Sequence, residues 1–149
     1  MAKKILVPTD GSERAEIAAD FAIDLAKQLG ASLQFVSVVD DYSPAFAYDL
    51  ESGISVDINE IVEKRDRYVR ESVDRLLEKA KAAGVPTEGK VVEGNAWEEI
   101  LAEAKRSGAD QIIMGSHGRR ALAAAVLGNV TFNVIHHSKI PVTVIPIHD

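Results

Sequence analysis

QIIMGSHGRRALAAAVLGNVTFNVIHHS, Gln111 to Ser138, passes from an apolar run through a glycine-bearing stretch to a helical pattern, and that succession decides the fold. The run QIIM is too short and too apolar for a half-buried helix and reads as a strand covered on both faces. Val130, Val134 and Ile135 then recur at helical spacing, which predicts a helix over about 129–138. Between the two, glycines stand at 115, 118 and 128, where a strand ends and a helix begins.

The same alternation extends over the chain. Val- and Ile-rich segments predict strands at 3–9, 32–39, 89–94, 111–116 and 141–147. Helical stripes fall between them. Ala18, Phe21, Ala22, Leu25 and Leu29 mark 12–29, and Ile58, Ile61, Val62, Val69, Val73, Leu76 and Ala80 mark 58–80. Trp97, Ile100, Leu101 and Ala104 mark 96–107. Three of these helices close on a cation and a glycine, Gly30, Gly84 or Gly108, each suited to a left-handed C-terminal cap. Strands joined through helix-sized crossovers build a parallel sheet with helices on both faces, so the chain is predicted to be one doubly wound α/β domain. The segment 40–56 breaks the rhythm and is long for a connection; its Tyr42, Phe46 and Tyr48 suit either a rim contact or a cover for a ligand or partner.

Composition narrows the function classes. The 149 residues carry 17 Lys and Arg against 23 Asp and Glu, a net charge of -6 that argues against nucleic acid as a partner. No cysteine is present, so disulfides, thiolate metal sites and a cysteine nucleophile are excluded. No apolar stretch approaches the length of about 20 residues that a bilayer span requires. A cytoplasmic protein without a membrane partner is the expectation.

In an open α/β sheet, ligands sit beyond the carboxyl ends of the strands where the strand order reverses. The tips Pro8-Thr9-Asp10-Gly11 and Met114-Gly115 are expected to flank that crevice. Glycines at 115 and 118 let backbone amides approach an anion, and Gly128 opens a helix whose free N–H groups can hold phosphate. Arg119 and Arg120 add local positive charge, and a divalent cation would do the same. Read alone, glycines at a strand end are more often turn formers. His136 and His137 are neighbours on one helix and point about 100° apart, which does not make a one-faced metal pair. Ser12 suits a helix cap, and neither it nor Ser116 stands in a nucleophile context. On the second helix, Glu63 with Arg67 and Asp66 with Arg70 have the spacing of ion pairs on a solvated face.

Gly115, Gly118 and Gly128 form a G-x2-G-x9-G pattern. Together with ILVPTDGSE, VVEGNAWEEIL, IIMGSHGR and PVTVIPI, it closely resembles the universal stress protein family along nearly the whole chain. The resemblance implies a five-stranded sheet of order 3-2-1-4-5, a homodimer paired through the last strand, Pro141 to Ile147, and, in the branch that keeps the glycines, ATP binding with Mg2+. Carried over residue by residue, Pro8, Thr9 and Asp10 would line the adenosine site, and Val38 would meet the adenine edge through its backbone. Met114 and Gly115 would pack near the ribose, and His117, Gly118 and Arg119 would approach the phosphates. Gly128, Asn129, Val130 and Thr131 would complete the phosphate cradle. The family pattern has Ser or Thr after the third glycine. Here stands Asn129, which keeps an NH2 donor and is a strong N-cap.

The expected function is a dimeric, ATP-binding regulatory module of the stress response with no catalytic apparatus. Two alternatives stand beside it: a family member that acts through protein contacts without nucleotide, and a slow ATPase. A P-loop of the form G-x4-G-K-[ST] is absent.

Overall fold

Strands and helices alternate throughout the computed structural model, which describes residues 3–39, 58–117 and 127–147. The order is β1 (Lys4–Pro8), α1 (Glu13–Leu29), β2 (Ser32–Val39), α2 (Ile58–Ala82), β3 (Thr87–Glu93), α3 (Ala96–Ser107), β4 (Gln111–Gly115), α4 (Asn129–His137) and β5 (Val142–Ile145). The five strands form one sheet in the order β3-β2-β1-β4-β5, every pair parallel. This is the expected doubly wound arrangement.

Side chains on successive strand residues point to opposite faces, and each face is apolar here. Ile5, Val7, Leu33, Phe35 and Ile113 pack with Ala19, Ala22 and Ala26 of α1 and Leu76 and Ala80 of α2. On the other face, Leu6, Val36, Ile112 and Met114 pack with Ile100 and Ala104 of α3 and Val134 of α4. The order reverses at β1, which places the ends of β1 and β4 side by side.

The helix ends follow local chemistry. Ser12 caps α1, its Oγ accepting from the Ala15 amide at 3.2 Å, and Asn95 caps α3 in the same way from Glu98. Gly30 and Gly108 close these helices with φ of +67° and +68°, the left-handed conformation that their sequence positions predicted.

Two helical stripes are rotated from the expectation. The buried face of α1 is Ala18, Ala19, Ala22, Ile23 and Ala26, whereas Phe21 and Leu29 are exposed. On α4, Val134 is buried and Ile135 is exposed. Small residues let α1 lie close on the sheet, so the larger side chains are turned outward. The ion pairs on α2 also differ. Among the described residues Lys64 pairs with Glu60 and Arg65 with Asp66, while Arg75 and Lys79 reach Glu16 of α1. The expected pairs Glu63 with Arg67 and Asp66 with Arg70 are not among them; Asp66 pairs with its neighbour Arg65 instead.

Candidate functional site

β1 leaves the sheet at Pro8, and the turn after it is tightly tied. The Thr9 amide donates to the Val36 carbonyl at 2.9 Å, and the buried Thr9 side chain accepts from the Gly11 amide at 3.1 Å. Asp10 Oδ1 accepts from both the amide and the hydroxyl of Ser12. That oxygen therefore braces the start of α1 rather than facing a ligand alone.

Val38 lies two residues beyond Val36 on β2. Because Val36 turns its carbonyl toward β1, and alternate residues of a strand direct their peptide groups to the same side, Val38 directs its own amide and carbonyl to the space past the end of β1.

At the end of β4, Met114 is buried in the core beneath α3 and α4, so its side chain is a packing element rather than a wall of the crevice. Gly115 accepts at its carbonyl from the Thr131 hydroxyl at 2.8 Å. A Cβ at Gly115 would lie 3.3 Å from the Ile147 side chain, which fills the space behind the turn. Ser116 Oγ accepts from the Ile147 amide at 3.0 Å and lies 3.1 Å from His117 Nδ1. Two sequence expectations change here. Thr131 is buried and its hydroxyl proton is committed to Gly115, so only its amide faces outward as a donor. Asn129 is the first residue of α4 and not its cap; the cap is Gly128, which makes no side-chain cap bond because it has none.

The start of α4 turns unpaired backbone donors outward beside the end of β4. Gly128 donates to the Ser116 carbonyl at 2.9 Å and accepts from Phe132, so the helix begins against the turn that ends β4. Asn129, Val130 and Thr131 occupy the first turn, whose amides have no intrahelical acceptor. Asn129 Oδ1 accepts from Asn133 at 3.1 Å, which leaves its NH2 group, a donor, for a ligand. His117 stands beside this turn with only 3% of its surface exposed, and its Nε2 is buried with no hydrogen-bond partner among the described residues. A buried polar atom without a partner is costly, on the order of 1–3 kcal/mol. An anion accepting from it would remove that cost.

Gly118 and Arg119, as well as Arg120 and the 40–56 segment, lie outside the described residues. Among the described residues no group of three or more His, Asp or Glu side chains is placed to hold a metal ion. His136 and His137 serve packing, His137 stacking on Trp97 at 4.4 Å and bonding the Asn133 carbonyl through Nδ1.

The sequence reading missed a polar cluster at the opposite, amino-terminal ends of the strands. Glu103 on α3 is 3% exposed and accepts from Gln34 at 2.7 Å, from Arg106 at 2.8 Å and from Lys90 at 3.3 Å. Burial disfavours its charge, but the bonds from Arg106, Gln34 and Lys90 outweigh that and hold the carboxyl below the usual glutamate value. No short motif announces such a group, because its partners are 3 to 69 residues away. A cavity of about 260 Å³ opens beside it.

Residues 1–146 match the universal stress protein family. The chain is 34% identical to universal stress protein MJ0577 of Methanocaldococcus jannaschii over 155 residues, covering 97% of this chain and 95% of that protein. It is 33% identical to universal stress protein MJ0531 of the same organism, covering 96% and 81%. The solved structure of MJ0577 superimposes with a TM-score of 0.82 over 100% of this chain and 99% of that one, at 32% identity. A universal stress protein solved with cAMP aligns with a TM-score of 0.68 at 25% identity, covering 97% and 96%. One from Archaeoglobus fulgidus solved with dAMP aligns with 0.68 at 18% identity, covering 97% of each, a likeness of fold. With its sheet order, its glycine-opened helix and these matches over almost its full length, the chain belongs to the universal stress protein family.

Proposed function

We propose that the protein binds ATP, with Mg2+, in the crevice between the ends of β1 and β4, and that occupancy rather than turnover is its output. The observation that carries this reading is the unpartnered Nε2 of buried His117 beside the first turn of α4. A phosphate group accepting there would complete a hydrogen bond and meet the positive end of a helix dipole. Gly115 and Gly128 border the same cradle, the resemblance would add Gly118 and Arg119 to it, and Asn129 would add its NH2 group in place of the hydroxyl that the family carries there. The Val38 peptide groups suit the adenine edge, and Pro8, Thr9 and Asp10 the nucleoside. Asp10 is the carboxylate on this side of the crevice, so it is the residue that would approach Mg2+ held by the phosphates. Micromolar affinity requires about 8 kcal/mol. Contacts of up to about 2 kcal/mol at a partly buried helix terminus reach that sum only by converging with burial of the adenine ring. Relatives solved with cAMP and dAMP support a nucleotide of the adenosine class.

We further propose a homodimer through β5. It is an edge strand, and a bare apolar edge invites pairing. α1 and α4 touch β5 from opposite faces of the sheet, and both present exposed apolar side chains: Ile17 and Phe21 on one, Phe132 and Ile135 on the other. A second copy laid antiparallel on β5 would cover both groups about a two-fold axis.

Titration calorimetry with ATP, with and without Mg2+, tests the first proposal, and light scattering on the eluting protein tests the second. Micromolar binding with ADP release no faster than background supports a regulatory binder. Sustained ADP release at many turnovers per minute makes it an ATPase, and absence of binding makes it a protein-contact module.

A further inference from the structure

The turn that follows β1 does not stand on the sheet alone. Its Gly11 has φ +81°, a left-handed conformation, and a Cβ there would lie 3.0 Å from Ser72 Oγ and 3.2 Å from the Tyr68 ring. Both residues belong to α2, a helix that contributes nothing to the phosphate cradle. Ser72 is buried, with its own hydroxyl donating to the Val69 carbonyl at 2.7 Å. Tyr68 is 47% exposed, yet its hydroxyl donates to the Gly11 carbonyl at 3.1 Å. The peptide so held is the one between Gly11 and Ser12. It is linked on one side to Thr9 through the Gly11 amide, and on the other to Asp10 through the Ser12 amide and hydroxyl.

We infer that Tyr68 is a positioning residue for the nucleoside half of the site: α2 sets where Thr9 and Asp10 stand by fastening the Gly11 carbonyl. This rests on the nucleotide-binding reading above and adds a division of labour to it. The phosphate half is held by the β4 turn and α4, the nucleoside half by a turn whose conformation is fixed from α2. The ring contact with Gly11 excludes a side chain at that position, and the hydroxyl selects one orientation of the carbonyl. Both act on the site through Gly11.

The test is Tyr68→Phe, which keeps the ring against Gly11 and removes only the hydroxyl. ATP and AMP binding to the full-length wild type and variant would be measured by calorimetry, with urea unfolding as a check on the fold. The expected result is a cooperative urea transition whose midpoint falls by no more than one neutral hydrogen bond allows, and a loss of affinity for ATP and AMP by the same factor. That factor should be about two- to tenfold, the range set by one neutral hydrogen bond. The ratio of ATP to AMP affinity should stay as in the wild type, because the phosphate cradle is untouched. Wild-type binding with no loss in the variant would overturn the role of Tyr68 and leave the nucleotide site standing. A loss that changes the ATP to AMP ratio would overturn the division of labour. Wild type that binds neither nucleotide would remove the site and this inference with it.

Discussion

The Cα of His117 lies 3.0 Å from where a Cβ on Gly128 would stand, and the His117 Cβ only 0.1 Å farther, at 3.1 Å. Glycine is needed at 128 for closeness and not for backbone freedom, since its φ of -62° suits any residue. The contact brings the start of α4 against the turn that carries the unpartnered imidazole. Gly128→Ala should push the two apart, because backbone and Cβ atoms cannot swing aside as a flexible side chain would. An overpacking cost of about 1–3 kcal/mol in urea unfolding is expected. ATP affinity should fall at least about tenfold, and AMP affinity less, since the displaced helix serves the phosphates. Equal affinity for ATP in wild type and variant would show that the helix start does not hold the ligand.

Replacing His117 with Met separates binding from folding. The imidazole shares one bond between Nδ1 and the Ser116 hydroxyl and carries one buried atom without a partner among the described residues. The two effects oppose each other, so the unliganded protein should change by less than about 1 kcal/mol. Binding should suffer more, because a hydrogen bond to a charged phosphate is worth about 1.5–3 kcal/mol, or roughly ten- to 150-fold in Kd. A large loss of stability with intact ATP affinity would assign His117 to the fold alone.

Thr131→Val probes the reassigned threonine. Its hydroxyl ties α4 to the end of β4 through Gly115, so the variant should lose about 1 kcal/mol of stability. Thr131→Ser should retain most of it. Were Thr131 instead a phosphate donor, the Val variant would lose affinity at unchanged stability, which calorimetry paired with denaturation distinguishes.

Glu103 supplies a pH dependence far from the crevice. Its carboxyl is held below the usual glutamate value of about 4.3 by Arg106, Gln34 and Lys90 acting against burial. A depressed acid stabilises the fold fully above the unfolded pKa, and the contribution is lost as pH falls through the folded value. Glu103→Gln should therefore cost about 1–3 kcal/mol near neutrality. The gap to wild type should close on acidification below the glutamate range, as measured by urea midpoints across a pH series. A gap independent of pH would show that packing, not charge, holds this corner.

The dimer proposal predicts that Phe21→Lys combined with Ile135→Lys yields a monomer by light scattering with unaltered ATP binding. Each residue is exposed in the single chain, at 46% and 44%, so neither change disturbs the core. A dimer that persists in this variant would move the interface elsewhere.

Much of this was written in the sequence because it is local. The alternation of Ile- and Val-rich runs with helical stripes determined the α/β class, since a strand's period and a helix's period cannot be interchanged. Gly30, Gly108 and Ser12 announced their helix ends by chemistry that acts within a few residues. Gly128 stands at the start of α4, where its sequence position put the opening of a helix. Tertiary structure decided what depends on partners distant in the chain. It turned Phe21 and Ile135 outward where a stripe alone would have buried them, and it spent the Thr131 hydroxyl on Gly115. It also buried the Nε2 of His117 without a partner among the described residues, gathered Glu103 with Gln34 and Lys90, and brought Tyr68 to Gly11, 57 residues away. A hydrogen bond or a burial is a property of two or more groups in space, and a linear pattern specifies only which groups are offered.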